Sequence, residues 1–542
     1  MLSIIEKIVF LLMLALTFYA FFTPIIRKVK YVKLGTAIDR FDNPVKRILH
    51  AVKSFFLLLC SVKKERPFTG FIHIFILYGS LTFDTITGMH ILEGLIDGVH
   101  ISNLHAFIAD CFAVMVLFAA SYFLIRRYVM RPDTYTYKNF ESLWIYLLLI
   151  TVTLTFLLYE GAVIANNPAH SQYSFFGKVF AGFFPNASMD LVKLFWWIHI
   201  INVFIFIAYV PRSKYLHMIA GPVNIALRNN DYLGKMKILD IEDEEAEYFG
   251  VEKITHMNQK DLMDGFACIE CGRCQDYCPA YNSGKTLSPK EIIVDMRDEL
   301  MEAGPKLLKN AETELQPLAE RVYKLDDIWD CTTCGACMQV CPVENEQVPK
   351  IIGIRQSQVL MESKFPEEFN VLYKGLENQG NPWGINAQSG MDWAADLNIP
   401  LISEKKETDV LVFSGCMAKF DANAQKNQKF FVDILNKAGI DYAFLGNEET
   451  CCGDPSRRTG REELFQMHAM ENIDAMNQYQ FKRIVTTCPH CLHVLKNEYS
   501  QLGGSFDVID YSDLILEILR DGKVKVQQKT DKTLTYHDPC YL

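Results

Sequence analysis

Five stretches long and apolar enough to cross a bilayer crowd into the first 211 residues, at about 4–24, 67–91, 103–125, 141–165 and 190–211. A hydrocarbon core of ~30 Å takes ~20 residues of helix. In lipid every backbone amide must be satisfied internally, so this part of the chain is an all-α five-helix bundle. The first stretch has no small-residue cleavage site after it and reads as an anchor, not a removable leader. Between Pro24 and Pro67 lie eleven Lys/Arg, and Arg126, Arg127, Arg131 and Lys138 follow the third stretch. By contrast, 92–102 has no Lys or Arg and 166–189 has only Lys178. Positive charge marks the cytoplasmic loops. A multi-pass protein of the inner (cytoplasmic) membrane is therefore predicted, with its N-terminus outside and everything after Pro211 in the cytoplasm. With 22% charged residues and a net charge of −10, the composition excludes a nucleic-acid binder and a mainly disordered chain.

Histidines inside a membrane are expensive and point to cofactors. His199 and His217 are 18 residues apart, five full turns, so on one continuous helix both imidazoles leave the same face about 27 Å apart. Two stacked haems b need such an arrangement. His73 enters the second stretch from the cytoplasmic side at the depth of His217, which predicts one bis-histidine haem between them. His199 would serve a second haem. Its partner is left open between His90, about 100° round the helix from His73, and His105 at the start of the third stretch. Asp84, Asp110 and Glu160 are also intramembrane, either as paired acids or as proton donors to a reducible ligand.

The 16 cysteines fall in patterns that disulfides do not explain. Cys268-x-x-Cys271-x-x-Cys274-x-x-x-Cys278-Pro279 recurs as Cys331-x-x-Cys334-x-x-Cys337-x-x-x-Cys341-Pro342. In such runs three close thiolates grip one cubane and the fourth reaches the other. Cluster one then takes Cys268, Cys271, Cys274 and Cys341, and cluster two takes Cys331, Cys334, Cys337 and Cys278. Zinc sites use two CxxC pairs, not two four-cysteine runs ending in proline. Ser288-Pro289-Lys290-Glu291 reads as a capping box opening a helix that ends at Gly304-Pro305, giving an α-helical two-cluster ferredoxin.

Farther on, Asp409–Phe413 reads as a buried strand leading to Cys416, and Arg483–Thr486 as a strand leading to Cys488 and Cys491. Cys451-Cys452-Gly453 lies between them, after another short strand. Each thiol thus falls beyond a strand's C-terminal end, where open α/β sheets hold ligands. The sequence around Leu411–Cys416 is echoed by Leu534–Cys540. Cys540 thus stands at the start of a second copy of this stretch, and a full second copy would be expected to run to roughly residue 615. No glycine-rich dinucleotide fingerprint precedes a βα unit.

Three resemblances follow from these motifs. Pro211-Arg-Ser-Lys-Tyr-Leu-His217, with the histidine pair and five spans, resembles the cytochrome b subunit of respiratory nitrate reductase, which implies two haems b. His199 and His217 match that family's fifth-helix ligands and His73 one of its second-helix pair, but ten residues past His73 stands Phe83. The array Cys416, Cys451, Cys452, Cys488 and Cys491 resembles the cysteine-rich domain of heterodisulfide reductase. That implies a non-cubane [4Fe–4S] cluster, or two with the second motif, as the site of two-electron chemistry. All parts in this order resemble the membrane-bound iron–sulfur oxidoreductases that link electron-transfer flavoprotein to menaquinone. The expected organisation is a cytochrome b bundle (1–235), a ferredoxin domain with two [4Fe–4S] cubanes (236–363), a linker (364–407) and an α/β cysteine-rich domain (408–542). The family likeness implies electron flow between the heterodimeric flavoprotein, docked at the cytoplasmic face, and menaquinone. Alternatives are a quinol-linked heterodisulfide or sulfur-carrier reductase and a relay subunit of a larger complex.

Overall fold

The computed structural model describes all residues except 1, 58–61, 63–65, 97–98, 100–102, 133–139, 169–172, 232–234, 527–530, 538 and 540–542. Cys540, Cys60, His100 and His170 thus lie outside the described residues. The chain forms two units, Met1–Arg228 with Met257–Leu315 and Ala336–Gln347, and Asn229–His256 with Gln316–Gly335 and Val348–Leu542. These divisions do not follow the expected boundaries. The first cysteine run folds with the helical bundle, and residues 229–256 fold with the sheet.

In the first unit, helices α1 (Ile4–Val32), α2 (Pro44–Phe56), α3 (Pro67–Leu95), α4 (Asn103–Ile125), α5 (Phe140–Asn166), α6 (Phe175–Ala181), α7 (Met189–Tyr209), α8 (His217–Ala226) and α9 (Gln259–Ala267) succeed one another. Five helical stretches are long and apolar enough to cross a membrane, Ile4–Val32, Pro67–Leu95, Leu104–Met130, Phe140–Asn166 and Met189–Arg212. The central helix α5 packs against α4, α6 and α7. Small residues permit the close crossings: a Cβ on Gly79 would lie 2.1 Å from Val116 Cγ2 and one on Gly161 2.7 Å from Phe180 Cβ.

Helix α1 runs through Pro24, which cannot donate to the Ala20 carbonyl. Arg212 Nη1 takes up that carbonyl at 2.7 Å, and Lys28 Nζ donates to Pro211 O at 2.6 Å. The single straight helix expected to carry both His199 and His217 is not formed. Helix α7 ends at Tyr209, and 3₁₀ turns at Val210–Arg212 and Lys214–Leu216 lead into α8. Pro211 and the extended Ser213 between those turns break the register, so the 27 Å rise does not apply.

The charged segment after α1 holds α2, a helix that charge counting did not disclose. Val45, Ile48, Leu49, Val52 and Phe56 form an exposed stripe along one side, the pattern of a helix lying in a lipid interface. Beyond α8 a buried network ties the bundle to the cluster-bearing segment. Lys260 Nζ donates to Asp264 at 2.5 Å, Asn224 Nδ2 donates to Asp264 (2.9 Å) and Val343 O (2.8 Å), and Arg40 pairs with Glu346 at 2.6 Å. The helix opened by Ser288 begins as expected, with its hydroxyl accepting the Glu291 N–H. It continues past Gly304-Pro305 to Leu307, however. Gly304 is a contact, not a stop: its missing Cβ would meet the Tyr31 ring at 2.7 Å.

The second unit is built on a parallel sheet ordered β2-β1-β3-β4, from Glu407–Phe413 (β1), Tyr442–Phe444 (β2), Gln480–Thr486 (β3) and Val508–Asp510 (β4). Alternation along β1 splits its side chains between two cores. Val410 and Val412 pack with Phe431, Leu435, Leu514 and Ile518, while Leu411 and Phe413 pack with Phe465, Ala469 and Met476. The stretch 364–407 is not a linker. It contributes a helix, Phe369–Gln379, and a 3₁₀ segment, Ala387–Ala394, whose Trp393 is buried in the sheet's core.

Candidate redox centres

Two histidine pairs form in the bundle. The His73 and His217 rings lie 6.4 Å apart, centre to centre, and those of His90 and His199 lie 5.4 Å apart. Two imidazoles sharing one metal at about 2 Å from each nitrogen have ring centres roughly 6 Å apart. His217 Nδ1 donates to Lys214 O at 2.7 Å. Thr155 donates its own proton to Thr151 O, so His199 Nδ1 donates to Thr155 Oγ1 at 3.1 Å. Both bonds fix the tautomer and leave Nε2 for a metal. His73 Nδ1 and both nitrogens of His90 are buried without a hydrogen-bond partner. Polar atoms left so are costly unless a bound group satisfies them, and these fit haem iron. Of the two partners open for His199, the structure brings His90 to it and leaves His105 exposed. The ~100° between His73 and His90 is no obstacle, because the break after Tyr209 lets α7 and α8 present their imidazoles from different directions.

The cavity at His73 and His217 has an apolar floor of Ile76, Ile145 and Leu149, and Arg66, Arg127, Arg273 and Lys214 line it as well. Cations around an apolar slot suit a flat ring carrying two carboxylates. Cys271 and Pro342 line the same cavity, which brings the first cysteine run to the histidine pair.

In that run Glu270 (φ 52°) and Gly272 (φ 75°) are left-handed, and Thr333 (φ 55°) and Gly335 (φ 73°) repeat this at the same places in the second run. Left-handed Thr333 donates its own N–H to Cys331 Sγ, and Asn345 N, next to left-handed Glu344 (φ 55°), donates to Cys341 Sγ, each at 3.3 Å. Cys268, Cys271, Cys274 and Cys341 feel one another's charge. Burial first, with that mutual repulsion adding to it, pushes Cys268 and Cys341 up to about 12 and raises Cys274 well above the usual thiol range. Such thiols ionise together only around compensating cations. Cys331 and Cys334 belong to the second unit, Cys278 and Cys337 to the first.

At the sheet, Cys416 follows β1 and Cys488 and Cys491 follow β3, at the point where the strand order reverses. Cys451 and Cys452 come after β2. Their thiols lie close enough that each perturbs the next in the order Cys416, Cys451, Cys452, Cys491, Cys488. Bonds from Cys451 and Cys491 hold Cys452 well below the usual thiol range, whereas Cys451 and Cys491 are driven up by their sulfur neighbours and burial. Gly415 (φ +73°) leaves room for this cluster, since a Cβ there would stand 2.9 Å from Cys491 Sγ. Its N–H and that of Ser414 donate to the Glu449 carboxylate, each at 2.8 Å. Cys451 N–H donates to Gly380 O at 2.9 Å, which is how the segment expected as a linker serves the site. Among the described residues no group of three His, Cys, Asp or Glu closes on one point as a single ion would need.

A cavity of about 430 Å³ opens on these thiols, and Cys331 lines it beside Cys416, Cys452 and Cys488. Several of its parts carry no sequence signal. Arg355 is buried, stacks 5.2 Å from the Trp329 ring and donates to the carbonyls of Ile328 (2.6 Å) and Cys331 (2.7 Å). Asp454 accepts from His490 at 2.7 Å and from Arg458 at 3.0 Å. Behind them Glu498 receives Arg457 (2.7 Å) and Arg458 (2.9 Å). Burial raises the Glu498 carboxyl, but these guanidinium groups and His493 hold it down to about 2.

Two cysteine-rich modules and a set of apolar spans define a membrane-associated iron–sulfur oxidoreductase, and comparison with known proteins agrees. The 4Fe-4S dicluster domain matches residues 265–345 and the Cysteine-rich domain (CCG) residues 410–496. The chain is 33% identical over 522 residues to the EtfAB:quinone oxidoreductase of Syntrophomonas wolfei, covering 88% of this chain and 73% of that protein. To the probable iron-sulfur-binding oxidoreductase FadF of Bacillus subtilis it is 31% identical, over 99% of this chain and 83% of that protein. A polypeptide of the dihydromethanophenazine:CoB–CoM heterodisulfide reductase of Methanosarcina barkeri is 30% identical over 52% of this chain and 69% of its own length. No solved structure matches. The chain belongs to the family of iron–sulfur oxidoreductases that includes EtfAB:quinone oxidoreductase, and it carries 4Fe–4S clusters.

Proposed function

We propose that this protein passes electrons between electron-transfer flavoprotein, docked at the cytoplasmic face, and menaquinone in the inner membrane, with its N-terminus outside. Two cubanes would be held by Cys268, Cys271, Cys274 and Cys341 and by Cys331, Cys334, Cys337 and Cys278. A non-cubane cluster would be held by Cys416, Cys451, Cys452, Cys488 and Cys491, the residues where two-electron and one-electron traffic meet. Two haems b would be held by His73 with His217 and by His90 with His199. When bound, these groups supply one-electron carriage; the chain's own residues fix their spacing, hydration and potential.

The observation that carries this reading is shared lining. Cys331 lines the cavity of the cysteine-rich site, and Cys271 lines the cavity of the His73–His217 pair. Around the latter, Arg66, Arg127, Arg273 and Lys214 would hold the carboxylates of a haem, and the Lys214 carbonyl orients His217. The open cavity at the cysteine-rich site also favours a second reading, reduction of a disulfide in a small thiol or carrier protein. Both are tested by mixing membranes with reduced electron-transfer flavoprotein and a menaquinone analogue while following haem and quinone absorbance. Rapid quinone reduction is expected. No passage from the flavoprotein, with brisk exchange with a thiol pair, would replace the first reading with the second.

A further inference from the structure

Asp84 has no role in any centre described above. It lies 17 residues past Pro67 and 11 before Leu95 on α3, well inside a membrane-spanning helix, on a flank the bundle leaves exposed. It has no hydrogen-bond or ion-pair partner among the described residues, unlike Asp110, which accepts Phe176 N (2.8 Å) and Gly177 N (2.9 Å), and Glu160, which accepts the Ser174 hydroxyl (3.3 Å). A carboxyl at such depth is expensive unless it serves a ligand.

The surroundings specify one. Asp84 lines a cavity of about 180 Å³ whose apolar wall includes Phe21, Phe83, Val203 and Phe206. Ser80, one turn before Asp84, hydrogen-bonds Tyr215 Oη, and both line the cavity beside the carboxyl. One end is therefore polar and the rest apolar, as a ring with oxygens at its edge and a hydrocarbon tail requires. Tyr215 and Leu149 line this cavity and also that of His73 and His217, and the Tyr215 and His217 rings are 6.0 Å apart. Only side chains separate it from the histidine pair nearest the first cysteine run.

We propose that this cleft is the quinone headgroup site, with Asp84 as proton donor and the Ser80–Tyr215 pair as a hydrogen-bonding partner for a ring oxygen. This deepens the proposed function and rests on it. Reduction of a quinone to quinol takes two electrons and two protons. The electrons are the two the reduced donor supplies. One proton passes from the Asp84 carboxyl to the ring oxygen beside it and the other reaches the opposite oxygen through the Ser80–Tyr215 pair, and the bulk solvent returns a proton to each donor. In this arrangement quinone is reduced beside His73 and His217, not beside His90 and His199.

A photoreactive naphthoquinone with a short isoprenoid tail tests this in membranes holding the full-length, haem-loaded protein. Labelling is expected on α3 around residues 79–87 and on α7 around 203–207, competed by unlabelled menaquinone analogue. Asp84→Asn should weaken that competition roughly tenfold, the worth of one strong hydrogen bond. Val203→Trp, which fills the apolar wall, should abolish labelling. Haem and iron content should stay unchanged in both. Competed label beside His90 and His199 would overturn the site but leave quinone reduction standing. Label that a photoreactive fatty acid reproduces and menaquinone does not displace would make the cleft a lipid contact. No competed label anywhere would sink the site, and flavoprotein-driven quinone reduction in the same membranes would show whether the wider reading falls with it.

Discussion

Replacing Gly415 by alanine sets a steric cost against a conformational one. The residue has φ +73°, and its missing Cβ would stand 2.9 Å from Cys491 Sγ and 3.6 Å from Cys488 Cβ. Left-handed backbone costs an alanine about 1–2 kcal/mol. Carbon and sulfur need roughly 3.5–4 Å, so Cys491 must also retreat by something under 1 Å. Displacing a packed side chain adds typically 1–3 kcal/mol, and here the displaced atom is a proposed cluster ligand. Gly439 supplies the control, because it has φ +61° and nothing within 4 Å of its Cβ position. Gly439→Ala should lower the stability of the second unit by about 1–2 kcal/mol and leave iron content whole. Gly415→Ala should cost about 2–5 kcal/mol before any lost ligand is counted, and should erase the paramagnetic signal of the proposed non-cubane cluster while both cubane signals persist. Iron and acid-labile sulfide analysis with low-temperature paramagnetic resonance reads both. Equal, complete cluster content in the two variants would show that Cys491 does not hold the cluster at this place.

Three further outcomes are expected. His217→Ala should remove one haem and His90→Ala the other, with iron–sulfur content intact; a reduced-minus-oxidised spectrum that loses both haems in either variant, or neither, contradicts two independent pairs. Cys452→Ser should lose the non-cubane cluster and neither cubane, again by paramagnetic resonance. The drop of the Glu498 carboxyl from 4.5 to about 2 is worth about 3 kcal/mol, present above pH 4.5 and lost as pH falls toward 2. Glu498→Gln removes the anion that Arg457 and Arg458 share, while Glu462 and Asp454 still pair with them, and should destabilise the second unit by about 3 kcal/mol at neutral pH. Unfolding of purified protein followed between pH 3 and 7 should show that the variant loses this part of the acid dependence.

The features most legible in the sequence rest on one-dimensional chemistry. Length and hydropathy disclose the five spans, because lipid leaves a backbone few options. Cysteine spacing discloses both modules, because a cluster fixes the separation of its ligands. Features that depend on what lies opposite were not legible. Helical periodicity put His199 and His217 on one line, but Pro211 and Ser213 break that line, and only the packing of α3 against α7 shows that His90 lies beside His199. Gly304-Pro305 looks like a helix stop until Tyr31 is seen lying against it. Residues 364–407 read as a linker because their apolar residues are sparse, yet Trp393 and Tyr373 are anchors. The buried ion pairs of Arg457 and Glu498 sit far apart in sequence and leave no periodic trace.

The way the first unit is put together also bears on how the protein matures. The chain leaves the ribosome bundle first, but the wall of the His73–His217 cavity includes Cys271, Arg273 and Pro342, all encoded well after the last span. A haem held there, as proposed, would find its wall complete only once the downstream segment has folded back. A chain cut after residue 235 should insert its helices and still lack part of that wall, so closure of this pocket falls to sequence translated after the last span.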